Sequence, residues 1–495
     1  MEAIMFAGID VGTTNAKMTV YSERGDEIAQ SSHNYQCRQL HVISAESLWS
    51  AVRNCITDIS RRLDGYGRID ALAVSSFGES IVAVDKEGNA LSEIMLRTCE
   101  SGEKELSEII NNMSEKEIHK ITGLFPDKRF SLIRMKWYKN NTDIYNKTCK
   151  FLTVEAYIIF MLTGEFYTSE STAWRTMAYD INSFSWSESL LRAAGLDSNK
   201  LPEVLPSGSF CGVCKSSVSD KFKILTGARI YTGGHDQLCN AVGSGLTGNH
   251  ILNCSGTVEC ISSVTCKMDE ATKNNLKLQQ IRYPAGEGLF FSFWAPVSGC
   301  SSLDWCLRLL YSSRFLENNK SELHMEMQQL CCSKPTELMI APYFNGRGFP
   351  DACSEAYGII KGLNFETTPA HIYQGIMESV AFEGRICLEK IIPYKEEHRE
   401  ISVFTSGGGA NSDYWMQMKA NIYGRNVVRL KHKEAGTMGA MIFAAIGEGC
   451  YDSFDTAFER CIRVKEIYHP DEEICEMYYE KYMKYLSFRE KLGKL

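Results

Sequence analysis

Residues 6–21 read Phe6-Ala-Gly-Ile-Asp10-Val-Gly12-Thr13-Thr14-Asn-Ala-Lys17-Met-Thr-Val-Tyr21. Two β-rich runs flank a Gly-Thr-Thr turn, so the stretch predicts strand, tight turn, strand. The turn carries chemistry of its own. Gly12 leaves the backbone free, and the Thr13 and Thr14 hydroxyls add donors able to wrap phosphate oxygens. Lys17 supplies a cation, and Asp10, at a strand end, is a candidate for holding Mg2+ through water. Asp-x-Gly-Thr is also good chemistry for a plain hairpin, so both uses stay open on this segment alone.

Outward from this hairpin, Ser22–Gly25 reads as a second turn and Glu27–Ser31 as a third strand. Trp49, Val52, Ile56, Ile59 and Leu63 recur at helical spacing and predict an amphipathic helix over 45–63. Ala71–Val74 is a short buried strand. Strands in tandem followed by helix and strand predict a mixed α/β sheet, not simple Rossmann alternation. From about 100 to 225 the pattern is mostly helical. A new start at His250–Val264 again reads strand, Gly-Thr turn, strand. This echo of residues 6–21 predicts two related halves, 1–245 and 246–495. In the second half, a helix is expected from Thr368 (cap) and Pro369, turning Ile372, Ile376 and Val380 inward. A strand at Ile401–Thr405, the glycine-rich turn Ser406–Asn411, a helix capped by Ser412, a strand at Val427–Leu430 and a helix from Gly436 follow.

The 495 residues predict more than one packed unit, and 44% hydrophobic with 23% charged is the composition of a folded globular chain. A net charge of −8 excludes a general nucleic-acid or anionic-membrane binder, which needs a basic field. No run reaches 18 apolar residues, and the N-terminal residues lack a signal-peptide pattern. A soluble, cytoplasmic protein is expected. The 19 Cys then read as free thiols used in the core. Cys211-x-x-Cys214 is the one CxxC, and no second ligand pair follows to complete a zinc site.

Four further motifs bear on chemistry. Ser255-Gly256-Thr257 repeats the Gly-Thr turn in the second half, and two such turns facing each other would clamp a polyphosphate. Gly407-Gly408-Gly409-Ala410 joins a strand to a helix start, where bare backbone and the helix dipole receive an anion or a nucleotide face. Gly233-Gly234-His235-Asp236-Gln237 places a carboxylate after a strand, suited to take a proton from a substrate hydroxyl or to cap the helix that follows. Gly243-x-Gly245-x-x-Gly248 matches a dinucleotide fingerprint, but helix precedes it and strand follows, the reverse of what that site needs. There is no GxxxxGK[ST], so a P-loop kinase is excluded.

Together these motifs resemble the FGGY family of carbohydrate kinases, from near residue 4 to about 450. Gly358-Ile-Ile-Lys-Gly-Leu363 followed by His371-Ile-x-x-Gly375-Ile-Met-Glu378 is similar to the family's C-terminal signature, with Gly375 where Ala or Ser is usual. Ser131-x-x-Arg134-Met-x-Trp137 is similar to the N-terminal one, with Arg where the family has Lys. The likeness to xylulokinase-like and fuculokinase-like members extends through Gly8–Lys17, Gly233–Gln237, Cys254–Thr257, Pro342–Pro350 and Ser406–Asn411. It implies two actin-like (ribonuclease-H-like) domains with a central cleft. It also implies ATP and Mg2+ as cofactors and phosphoryl transfer to a hydroxyl of a ketose or polyol.

By that resemblance Asp236 is the catalytic base and Asp10 helps organise the metal. Gly12, Thr13, Thr14, Lys17, Gly256 and Thr257 hold phosphates, with Gly408, Gly409 and Asp413 near the adenosine. Gly78, Glu79, Asp236 and Gln237 meet the substrate. In Ser75-Ser-Phe77-Gly78-Glu79, xylulokinases have Gln-Met-His, glycerol kinases also place a Glu, and Phe77-Gly78 with Cys99 is similar to fuculokinases. D-xylulose is therefore expected to be a modest substrate, and Trp174, Arg175 and Arg347 are expected pocket residues. The expected partners are ATP and a small sugar or polyol, with a homodimer compatible. A catalytically inactive binding protein of the same fold is the alternative, disfavoured because a binding module needs no base.

Overall fold

The computed structural model of the protein describes residues 4–35, 41–312, 314, 320–395 and 401–492. The hairpin expected at 6–21 is present: β1 (Met5–Val11) and β2 (Asn15–Ser22) pair antiparallel, with Asp10 opposite Lys17. The turn closes through Gly12 N–H to Asn15 O at 2.9 Å. β3 (Glu27–Asn34) extends three residues beyond its expected end and pairs with β2. The sheet continues with β4 (Ala71–Ser76), β5 (Phe210–Val213) and β6 (Arg229–His235), in the order β5-β6-β4-β1-β2-β3. β6, β4 and β1 run parallel, and β5 is antiparallel to β6. The Ala45–Arg62 helix, capped by Ser44, lays Leu48, Trp49, Val52, Ile56 and Ile59 on this sheet. That is the face its spacing predicts.

The second sheet repeats the plan. β7 (His250–Ser255) and β8 (Val258–Cys266) form an antiparallel hairpin. With β9 (Leu289–Ser298), β10 (Ser402–Ser406), β11 (Val427–Leu430) and β12 (Val464–Tyr468) they lie in the consecutive order β9-β8-β7-β10-β11-β12. β7, β10 and β11 are parallel, and β12 is antiparallel to β11. Antiparallel hairpin, two parallel strands and an antiparallel edge therefore occur in both sheets. The two related halves expected from the echo are present, in the two-domain, actin-like fold that the family resemblance implied.

The Pro369–Ile391 helix starts as expected, with Thr368 capping it and His371 completing a reciprocal cap. Ile376 and Val380 are fully buried, whereas Ile372 is only partly covered. Residues 100–225 depart from the mainly helical expectation. Short strands at Lys150–Thr153, Tyr167–Ser169 and Glu203–Leu205 interleave with the helices.

The chain divides into two compact units, and neither is continuous. The first holds residues up to Gly245 together with Gln279–Leu289 and Glu434–Ile462. The second holds Leu246–Leu278, Phe290–Lys433 and Arg463–Leu495. The block 246–495 expected from the sequence is thus interrupted twice. The Ala435–Gly447 helix explains the larger return, because Ala435 through Ala445 are all buried and it packs into the first unit. A Cβ on Gly439 would sit 1.9 Å from Cys239 O, and one on Gly243 1.9 Å from Ala435 O. Only bare backbone allows the two helices to approach this closely. Among the described residues no helix is long and apolar enough to cross a membrane.

Candidate active site

In the first unit, the carboxyl ends of the three parallel strands converge, the end of a parallel sheet at which ligands bind. Asp10 on β1 is in register with Ser75 on β4, and Ser75 with Gly234 on β6. Ser75 Oγ donates to Asp10 Oδ1 at 2.6 Å. The start of the Ala435–Gly447 helix passes the same carboxylate, and a Cβ on Gly436 would lie 2.9 Å from Asp10 Cγ. Burial raises the Asp10 carboxyl and Glu434 adds to this, against the opposing pull of Ser75 and Lys17.

Asp236 opens the Asp236–Gly243 helix, while His235 takes the N-cap position without a side-chain cap bond. Asp236 therefore lies inside the first turn, not at the cap, and its side chain keeps 28% exposure. Burial first, then the neighbouring charges of Asp10 and Glu79, push its carboxyl up to about 8. His235 Nε2 lies 3.2 Å from Asp236 Oδ1, and burial drives that imidazole down to about 3, so it is neutral. Gln237 Oε1 is buried and accepts no hydrogen bond from the described residues. It is an acceptor awaiting a donor.

Glu79 follows β4 and adopts a left-handed backbone, φ 61°, a conformation stored mainly at functional positions. Arg175 Nε donates to Glu79 Oε1 at 2.8 Å, and Arg175 Nη1 to Gln279 Oε1 at 2.8 Å. Burial opposes the Glu79 charge, but Arg175, with His235 and Arg97 adding to it, holds the carboxyl at about 2. A Cβ on Gly78 would meet Arg175 Cβ at 2.7 Å and the His235 ring at 2.8 Å. Gly78 thus gives the arginine and the histidine room beside Glu79. The structure joins Gly78, Glu79, Asp236 and Asp10 in one electrostatic cluster.

The Gly12–Asn15 turn presents Thr13 and Thr14 to solvent, and Tyr35 donates its hydroxyl to Gly12 O. Lys17, opposite Asp10 in the hairpin, is already engaged. Its ammonium pairs with Glu434 Oε2 at 2.6 Å, so its charge is already partly compensated.

In the second unit, the two glycine turns are one structure. Gly407 has φ 83°, and a Cβ there would lie 2.8 Å from Ser255 O. A Cβ on Gly409 would strike Ser255 Cβ at 2.7 Å. Gly408 has open space around it, and Gly256 is nearly as free. Beneath this cradle, Lys419 and Glu259 form a wholly buried pair at 2.5 Å. Lys419 Nζ also donates to Asn253 Oδ1 at 2.7 Å and to Ser255 Oγ. Asp413 Oδ1 accepts from Arg429 Nη1 at 2.6 Å and from Tyr468 OH at 2.7 Å. The tyrosine bond first and the arginine next lower its carboxyl.

Some expected pocket residues have other duties. Trp174 is buried, with its indole N–H bonded to Thr122 O at 2.9 Å. Arg347 donates to Asp351 O at 2.7 Å within the second unit. Arg134 lies in the core and anchors the 96–101 segment through Cys99 O at 2.8 Å and Ser101 O. Cys211 and Cys214 are buried free thiols, which burial pushes up, Cys214 to about 11. Conversely, Ser75, Gln279, Glu259 and Lys419 had no role assigned from sequence. Lys419 lies in the Asp413–Tyr423 helix between buried Met418 and Ala420, and that was the available signal.

Comparison with known proteins accords with this geometry. The N-terminal domain model of the FGGY family of carbohydrate kinases matches residues 5–243, and the C-terminal domain model matches 266–448. The xylulose kinase of Bacillus subtilis (strain 168) is 25% identical over 480 residues, covering 95% of this chain and 94% of that protein. The glycerol kinase of Aquifex aeolicus is 27% identical over 504 residues, covering 96% of each. The structure of ligand-bound xylulose kinase from Lactobacillus acidophilus shares the fold, with a TM-score of 0.85 at 21% identity, covering 99% of this chain and 98% of that one. With both domain models matched in sequence order, the chain belongs to the FGGY family of carbohydrate kinases.

Proposed function

We propose that the protein transfers the γ-phosphate of ATP to a hydroxyl of a ketose or polyol, with Asp236 as the base. The observation that carries this is the convergence of Asp10, Glu79 and Asp236 at the ends of β1, β4 and β6. A partly exposed carboxyl can, once ionised, take the proton of a bound hydroxyl, and its raised value makes it a stronger base than an ordinary carboxylate. Glu79 and the free Gln237 Oε1 are acceptors for the other hydroxyls of the acceptor molecule, with Gly78 leaving space beside them. Phosphoryl transfer asks the protein chiefly to position the nucleophile and the phosphates. The Gly12–Thr14 turn offers backbone and hydroxyl donors to phosphate. The Gly256–Thr257 and Gly408–Gly409 cradle offers open backbone to the nucleotide, with Asp413 beside it.

Mg2+ fits the donor set. The Asp10 carboxyl would be its hard oxygen donor, since Mg2+ is commonly held by one or two carboxylates plus substrate phosphates. When bound there, the ion supplies neutralisation of phosphate charge.

An ADP-release screen over pentuloses, 6-deoxyhexuloses, tetritols and glycerol, with ATP and Mg2+, tests the proposal. Asp236→Asn should cut turnover on the best acceptor by about 10²–10⁴-fold. ADP release from no acceptor would favour an inactive binding protein instead.

A further inference from the structure

We infer that Glu155 is a positioning residue that sets the orientation of Asp236 through the backbone of Gly233. This rests on the assignment of Asp236 as the base. Glu155 is the only charged residue of the Val154–Thr163 helix and is completely buried. Its Oε2 accepts from Ser169 N–H at 2.9 Å, from the Ser169 hydroxyl at 2.8 Å and from the Thr172 hydroxyl. Its Oε1 accepts from Gly233 N–H at 3.0 Å. Among the described residues no lysine or arginine pairs with it.

A buried carboxylate without a counter-cation is costly, and an apolar side chain would pack the same volume at less expense. What Glu155 supplies is an acceptor in a place where the sheet provides none. The β6–β4 register shifts between Thr232 and Gly234, so Gly233 is a bulge residue left out of the ladder. A bulge re-aims the chain beyond it. Here the chain beyond it is His235 and Asp236. His235 N–H in turn bonds Ser171 Oγ at 2.9 Å. The N–H groups of Gly233 and His235 are therefore held by side chains of the 155–171 segment, while Gly234 and His235 keep their register with Ser75 and Ser76 of β4. Neither glycine tolerates a side chain, since a Cβ on Gly233 would lie 2.2 Å from Val74 O and one on Gly234 2.6 Å from Ser171 Oγ.

Glu155→Gln tests this, because it turns one acceptor oxygen into a donor amide with little change of volume. Glu155→Asp, which keeps the carboxyl but shortens the reach, is the second variant. Both are assayed with ATP, Mg2+ and the acceptor of highest kcat/KM in the panel above. Folding is checked by the thermal shift on adding ATP and Mg2+. A folded variant should lose roughly 10–100-fold in kcat while KM for ATP stays within about twofold, the scale of a small misplacement of a reacting group. Placed on Asp236→Asn, the Glu155 change should cost nothing further, since it acts only through that base. A folded variant with kcat near the parent's, beside an inactive Asp236→Asn, would overturn the inference while leaving the base in place. An active Asp236→Asn would remove the base itself. A rise in KM for ATP matching the loss in kcat, or failure of both variants to fold, would make Glu155 a residue of general stability and would also overturn it.

Discussion

Arg175 reaches across the first unit to place its Nε 2.8 Å from Glu79 Oε1, with 5% and 11% of the two side chains exposed. Arg175 Nε and Nη2 both donate to Glu79 Oε1, and Nη1 donates to Gln279 Oε1. Glu79 is thereby charged, held in a left-handed backbone and stripped of freedom. With Glu79 facing the acceptor as proposed, a ligand that lacks the matching hydroxyl would leave its other oxygen without a donor and bind more weakly.

Glu79→Ala should abolish most sugar turnover and leave ATP binding nearly unchanged. Arg175→Ala should cost about 3–5 kcal/mol of stability, since it strands a buried carboxylate. Denaturant unfolding of Arg175→Ala and steady-state kinetics of Glu79→Ala check the pair. D-xylulose should be outperformed in kcat/KM by another ketose or polyol, because Phe77, Gly78 and Glu79 shape the pocket differently from a Gln-Met-His stretch.

Asp236 gives a pH signature in the metal-free protein. Its folded carboxyl, near 8, is above its unfolded value near 4. The stability it permits is complete below pH 4 and is lost as pH rises toward 8. Asp236→Asn removes that loss. The melting temperature of the variant should match the parent at pH 4 and exceed it increasingly up to pH 8, where the gain should reach at least roughly 1 kcal/mol. Melting curves across that range, with chelator present, measure the difference.

ATP should stabilise the protein only when Mg2+ is present. At about 100 times the dissociation constant the gain should be roughly 2.7 kcal/mol. Lys419→Met should weaken this response, because Lys419 holds Ser255, Asn253 and Glu259 under the Gly256–Thr257 turn. A thermal-shift titration of both proteins gives the comparison. An unchanged nucleotide affinity in Lys419→Met would show that the turn holds its shape alone.

Gly439→Ala should be severely destabilising, by more than about 3 kcal/mol. The added methyl would overlap Cys239 O and push apart the Ala435–Gly447 and Asp236–Gly243 helices. Soluble yield and unfolding midpoint report it, and Gly424→Ala, a helix-end glycine with open surroundings, serves as the milder control.

Strand-turn-strand at 6–21, its echo at 250–264, the Thr368 cap and the glycine turns were legible because each is local. Hydrophobic alternation, free backbone and cap chemistry act over a few residues. The placement of Asp10 at a strand end, and of Glu79 and Asp236 after strands, was also legible, because strand ends can be read from composition. The roles of Trp174 and Arg347 were not, since polarity or aromaticity near a motif does not tell what a side chain touches. Lys17 shows the same limit: its cation looked free along the chain and is taken by Glu434, 417 residues away.

By itself, then, the sequence determined two related α/β halves, the Gly-Thr turns and the carboxylates near strand ends, all through short-range preferences of the backbone. Only the tertiary structure decided which groups share a charge environment. It returned residues 434–462 to the first unit, where bare glycine surfaces allow helices to touch. It set Arg175 on Glu79, raised Asp236 beside Asp10, and tied the Gly233 bulge to Glu155. Burial and Coulomb interactions depend on distance in space, and folding fixes that distance between residues that separation along the chain leaves unrelated.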